Sequence, residues 1–301
     1  LAAVLNGLDV GPPAVYGRVA VFPLVPTYRP ALAGDWLTLD DALRRGMLTV
    51  SEEPGGGQVP VVIMQSLTGG HVIAMAGEVI AGGKQTRTLR EDVIVLPHAR
   101  VAAPVLCVER HRWAGEAGFS APGLMAPASI QKAVRAGADQ SAVWEEVARS
   151  NAALGTENAT GSLERSLGDA EVQGRLRPVR DFVVGRMPPA AVGYVFVDAY
   201  ARRAVGLEVF GRADLARALL PKLVDAYTVD LVLATKSGPR LNDPPPSPDV
   251  ARALLDRVRG AASHHAPTPG AGLGIRLRGG GLVGGGVSLG ALVHLGVHGG
   301  E

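Results

Sequence analysis

The chain has 301 residues, 47% hydrophobic and 19% charged, with a formal net charge of +2, a balance that excludes a disordered or low-complexity chain and permits a substantial core. Aromatic residues make up only 4% and the basic residues are scattered, so neither a stacking platform nor an electrostatic track for nucleic acid is present. No apolar run reaches the roughly 18 to 20 residues that cross a bilayer.

The single Cys107 excludes an internal disulfide and fits a reducing cytoplasm. The opening LAAVLNGLDV is too short, and too poor in flanking positive charge, for a signal peptide. A start at Leu1 implies a trimmed or incomplete N-terminus. Arg greatly outnumbers Lys, which a GC-rich coding genome explains as readily as selection for phosphate contacts.

In chain order, residues 15–25 (VYGRVAVFPLV) predict a strand ended by Pro23 and Pro26. TLDDALRRG predicts a short helix, with Thr38 and Asp41 as a capping-box variant and Gly46 as the stop. From 59 to 113, short apolar runs broken by Gly and Pro (VPVVIMQSL, HVIAMAGEVI, REDVIVLP, APVLCVE) predict a β-rich half. Helical signals return beyond 128, with Ser129 and Ser141 as caps, a helix over SAVWEEVARSNAAL and a weaker one over 162–172.

Residues 190–210 predict two strands joined by a tight turn near 201–204. Asp214 opens a helix that Pro221 is expected to kink or break. A proline-rich loop, SGPRLNDPPPSP, ends at Ser247, which caps a helix with Pro248 at its first position. The stretch SHHAPTPG predicts a flexible linker before a glycine-rich C-terminal β-hairpin. Without βαβ alternation the expectation is α+β, as one large domain over 1–301 with a β-rich part (about 14–114) and a helical and mixed part (about 128–301).

The densest chemistry lies in GEVIAGGKQTRTLREDVIVLP. A turn at Gly82-Gly83 would bring backbone amides, Lys84 and Arg87 to one anion, although the segment lacks the glycine and the Ser or Thr of a P-loop. The bland alternative is a hairpin turn with solvated charges. In PVLCVERHRW, a strand over 105–113 would place Cys107, Glu109, His111 and Trp113 on one face. That set suggests zinc ligation or a Cys–His pair, but a Cys between Leu106 and Val108 reads better as a small buried hydrophobe, and three same-face ligands on one strand make a poor tetrahedron.

Glu109 with Arg87 or Arg112 reads as a structural ion pair before an acid–base pair. Glu78 and Glu109 flank the same β segment, where their carboxylates could converge. The match to G-x-G-x-x-G at Gly279, Gly281 and Gly284 lacks a following helix, so a dinucleotide site is not expected. His294 and His298, and the pair His264 and His265, lack carboxylate or thiol neighbours in sequence. No metal and no cofactor are therefore expected.

The order of GEVIAGGKQTR, PVLCVERHRW, GADQSAVWEEV, AVGLEVFG with LLPKLVDAY, and GGLVGGGVSLGALVHL resembles the ARG and rhodanese-phosphatase-superfamily-associated protein domain family over roughly residues 15–298. ARG stands for ADP-ribosylglycohydrolase, and the family is a largely bacterial domain of unknown function. The resemblance implies a place near NAD, ADP-ribose or nucleic-acid end processing, and it covers Glu78, Gly83, Lys84, Gln85, Arg87, Cys107, Glu109, Arg112 and Trp113. His111 stands where the pattern has a small residue, which puts a role for it in doubt.

Three readings follow. In the first, a binding or accessory domain takes an ADP-ribose-like or other phosphorylated metabolite, with Lys84, Arg87 and Arg112 on phosphate, Gln85 beside them and Trp113 stacking on a base or packing below it. In the second, Glu78 or Glu109 is the general base of an enzyme, with Lys84 stabilising negative charge. The third is a structural, partner-binding protein.

Overall fold

The computed structural model describes residues 1–28, 32–53, 60–233 and 244–299. The architecture is α+β, in two compact units interleaved along the chain: Leu1–Leu32 with Arg175–Ala266 and Leu273–Glu301, and Ala33–Gly174 with Pro267–Gly272. Among the described residues no helix is long and apolar enough to cross a membrane.

The first unit is built on an antiparallel sheet in the order Leu8–Val10, Val19–Pro26, Gly193–Asp198, Arg203–Phe210, Ala291–Gly299, Leu282–Leu289, Leu273–Gly279, Ser263–Ala266, with Ala14–Tyr16 also paired to Val19–Pro26. On one face Val195, Val197, Leu207, Val209, Leu295 and Val297 pack with Leu254, Leu255 and Val258 of the helix Pro248–Gly260. Ser247 caps that helix through the Asp249 N–H, as its sequence predicts.

Several expectations are corrected here. VYGRVAVFPLV forms two strands with a turn at Gly17, φ +56°. Pro23 lies inside the second strand, and its carbonyl accepts from the Gly11 N–H, so the missing N–H falls on that loosely paired side and costs no bond to the central strand. Pro221 does not break the helix Ala213–Thr228. Leu219, Leu220, Leu223 and Val224 are buried around it, and their packing outweighs the roughly 3 kcal/mol a helical proline costs. The expected linker, 263–270, opens as an edge strand, with 263–266 paired to 274–277, and only its second half is irregular. Most of the proline-rich loop, 237–243, lies outside the described residues.

The glycine-rich tail folds as consecutive antiparallel strands. Gly280 and Gly281 form the turn with φ of +57° and +75°, so these glycines serve a hairpin and not a nucleotide. The opposite face of the sheet holds a buried polar chain: His294 Nε2 lies 2.8 Å from Glu208 Oε2, Tyr227 donates its hydroxyl to Glu208 Oε1 at 3.1 Å, and the same hydroxyl is 3.4 Å from His298 Nδ1. His294 thus does have a carboxylate neighbour, 86 positions away in sequence, and His298 reaches the same carboxylate through the Tyr227 hydroxyl. A Cβ on Gly206 would run into the Tyr227 ring at 2.6 Å, which explains the glycine. No group of His, Cys, Asp and Glu suited to a metal occurs among the described residues.

The second unit holds an antiparallel sheet in the order Phe119–Ser120, Val79–Gly82, Arg87–Leu89, Arg100–Cys107, Val61–Ser66, Leu48–Glu52, and a smaller sheet of Val93–Val95, His71–Ala74 and Trp36–Thr38. Leu39, Val50, Val62, Met64, Leu89, Val93 and Val105 are among its core residues. The helix Leu39–Arg44 begins where expected, with Thr38 Oγ1 accepting from the Asp41 N–H at 3.2 Å. Thr38→Ala should therefore cost about 1 kcal/mol in a denaturant titration, and an unchanged midpoint would show that the cap contributes nothing.

The next helices start earlier than expected. Asp139, not Ser141, caps Gln140–Leu154, and Ala128–Ala136 begins after Pro127, which places Ser129 inside its first turn. The expected weak helix is two: Leu163–Leu167, capped by Ser162, and Ala170–Val184. The latter runs through Gly174 and Pro178 because Val172, Leu176, Val179 and Val183 are all buried at helical spacing.

Candidate functional site

The strand Arg87–Leu89 lies between Val79–Gly82 and Arg100–Cys107, so Arg87 has Ile80 opposite it on one side and Cys107 on the other. The last strand stops at Cys107, short of the predicted 105–113, and the alternation that would align four side chains ends with it. Cys107 is fully buried and its thiol donates to the Glu109 carbonyl at 3.0 Å, whereas His111 is exposed on the following turn. These two do not form a nucleophile–base pair.

Glu109 is 2% exposed. Its Oε2 accepts from the Thr86 N–H at 3.0 Å and from Arg112 Nε at 2.9 Å, with Arg112 Nη2 at 2.7 Å. Burial pushes its pKa up, but the hydrogen bonds from Arg112, the Thr86 amide and Thr160 outweigh that, and the carboxyl is held at about 2. Arg112 in turn sends Nη1 to the Gly83 carbonyl (2.8 Å) and the Ala114 carbonyl (2.6 Å), and Nη2 to the Gly82 carbonyl (3.1 Å). All five of its N–H groups are thereby engaged.

Arg112 is thus a clamp on the Gly82-Gly83 turn and has no donor left for phosphate. Gln85 is equally committed: its Nε2 donates to the Glu109 carbonyl at 2.8 Å and its Oε1 accepts from Arg87 Nη1 at 3.0 Å. Both expected ligand contacts give way to structural ones. Glu78 is also separate from the cluster. Its Oε2 accepts from the Met75 N–H at 2.6 Å, and its carbonyl pairs with Leu89, three residues from Thr86 and so about 10 Å along the strand.

The Gly82-Gly83 turn does present a backbone amide to an anion, but the anion belongs to the chain. Glu52 Oε1 accepts from the Lys84 N–H at 2.9 Å. A Cβ on Gly83, at φ +53°, would lie 2.8 Å from that oxygen and inside contact distance of the Phe119 ring, so only glycine fits. Glu52 is the residue that sequence motifs overlooked. The signal is the alternation Leu48, Val50, Glu52, which puts a carboxylate at an inward-facing position of a strand.

Beside Glu52 lies Arg87, with 0% exposure. Its Nη2 is 3.8 Å from Glu52 Oε1, too long for a hydrogen bond. Arg87 Nε and Nη2 and Glu52 Oε2 are buried without a hydrogen-bond partner. Over this pair lies Trp113, 51% exposed, with Lys84 Nζ 5.1 Å and Arg87 Cζ 5.8 Å from its ring centroid. The structure therefore brings together Glu52, Lys84, Arg87 and Trp113, braced by Gln85, Glu109 and Arg112.

The family model of the ARG and Rhodanese-Phosphatase-superfamily-associated Protein domain matches residues 7–298. No curated protein and no solved structure matches the chain.

Proposed function

Given that the chain belongs to the ARG and Rhodanese-Phosphatase-superfamily-associated Protein domain family, we propose that it is a binding or accessory domain for an ADP-ribose-like or other phosphorylated metabolite, taken up at Lys84, Arg87 and Trp113. The observation that carries this reading is the Arg87 guanidinium, fully buried with no hydrogen-bond partner on Nε or Nη2 and only a 3.8 Å ion pair to Glu52. A buried cation in that state is costly unless a ligand completes it. Lys84 and the half-exposed Trp113 supply the remaining elements, a second positive charge and a stacking face.

The same geometry speaks against Glu109 as a general base. A carboxylate held at about 2 by Arg112, Thr86 and Thr160 is a weak proton acceptor at neutral pH. The name of the family refers to association with ADP-ribosylglycohydrolase and phosphatase-like proteins, which supports a role beside such chemistry. Lys84→Ala should weaken binding of a phosphorylated ligand at least tenfold, by isothermal titration with ADP-ribose and nucleoside diphosphates. Equal affinities would place binding elsewhere.

A further inference from the structure

The open valences beneath Trp113 differ in kind. Nε and Nη2 lie on the same edge of the planar guanidinium, which makes the unpartnered pair on Arg87 a side-on fork of two parallel donors. Next to Nη2, 3.8 Å from it, stands the Glu52 carboxylate. Its Oε1 is fixed by the Lys84 N–H, and its Oε2 has no partner. The buried surface therefore holds two open donors on one edge of Arg87 and, on the carboxylate beside Nη2, one open acceptor.

We propose that this set reads the edge of a 6-oxopurine, guanine or hypoxanthine, so that the phosphorylated metabolite of the binding reading, on which this inference rests, is a 6-oxopurine nucleotide. Such a base presents N7, O6 and N1–H consecutively: acceptor, acceptor, donor. Nε and Nη2 of Arg87 donate to N7 and O6, the bidentate pairing that arginine makes with guanine elsewhere, and Glu52 Oε2 accepts from N1–H. Adenine presents acceptor, donor, acceptor along the same edge. Its amino group would meet a donor of Arg87, and its N1 would meet the Glu52 carboxylate, so two of three positions clash.

Trp113 supplies the face on which the base stacks, and Lys84, over the same ring, supplies charge for the phosphates. Arg87 has no exposed surface, so the base reaches it only when Trp113 swings aside. This sets guanine nucleotides ahead of adenine ones, ADP-ribose included, and ties a change in Trp113 to their binding.

The test is isothermal titration of the full chain with GDP, IDP, ADP, UDP and inorganic pyrophosphate. GDP and IDP are expected to bind at least about tenfold more tightly than ADP or UDP, the lower range of discrimination from a bidentate base contact. Glu52→Gln should shrink that preference, read as the ratio of GDP to ADP affinity in the variant against the same ratio in wild type. ADP binding as tightly as GDP would overturn the base assignment while leaving the phosphate site standing. Silence from every ligand would overturn both. The preference of the wild-type chain decides even if Glu52→Gln fails to fold, and a folded Glu52→Gln protein that keeps the full preference also overturns the assignment.

Discussion

Glu109→Gln is expected to lower stability by roughly 3 kcal/mol, because it strips the charge from a buried partner of Arg112 and leaves the guanidinium short of its counterion. The loss should show as a lower denaturant midpoint with unchanged slope. It also has a pH signature. The carboxyl is held at about 2, against 4.5 in the absence of the fold, so ionised Glu109 stabilises the native state fully above pH 4.5. That contribution drains away as pH falls through about 2. Wild type should therefore lose stability over this acid window and Glu109→Gln should lack that component. Were Glu109 a catalytic base instead, the Gln variant would keep its stability and lose turnover.

Gly83→Ala is expected to cost about 3 kcal/mol and to abolish ligand binding with it. A methyl there meets Phe119 and Glu52 Oε1, and the residue sits at φ +53°, so overpacking and left-handed strain act together. The turn cannot shift away, since Arg112 holds the carbonyls of Gly82 and Gly83. Denaturant titration and pyrophosphate binding on the same preparation check both halves. A variant as stable as wild type would show that the turn is looser than its contacts indicate. The contrast with Lys84→Ala, expected to lose affinity out of proportion to any loss of stability, separates bracing residues from contact residues.

Local signals carried much of the architecture. Thr38 and Ser247 cap their helices as their sequences predict, the strands of 193–210 join through a tight turn, and the glycines at 279–281 close a hairpin. Expectations failed where tertiary packing competes with local preference. Pro221 and Pro178 sit inside continuous helices, and Pro23 sits within a strand on a side where it sacrifices little. Ser129 and Ser141 are chemically able caps, but Pro127 and Asp139 lie at the positions where the helices actually begin.

The candidate site was legible as a neighbourhood and less so as a set of roles. Lys84, Arg87 and Trp113 do meet. Arg112 was expected on phosphate because its charge is visible in sequence, whereas its engagement with the carbonyls of Gly82, Gly83 and Ala114 is not. Glu52 and Glu208 escaped notice for a related reason. Each acts on groups distant in sequence, on Lys84 and Arg87 in one unit and on His294 and Tyr227 in the other, and no motif of fixed spacing connects such partners.

The most direct test of the binding site is a thermal-shift measurement of the wild-type chain and of Lys84→Ala against saturating nucleoside diphosphate or ADP-ribose. A ligand at 100 times its dissociation constant adds about 2.7 kcal/mol of stability, so the account predicts a clear upward shift for wild type and little or none for the variant. An absent shift in wild type, or an equal shift in both proteins, would contradict it.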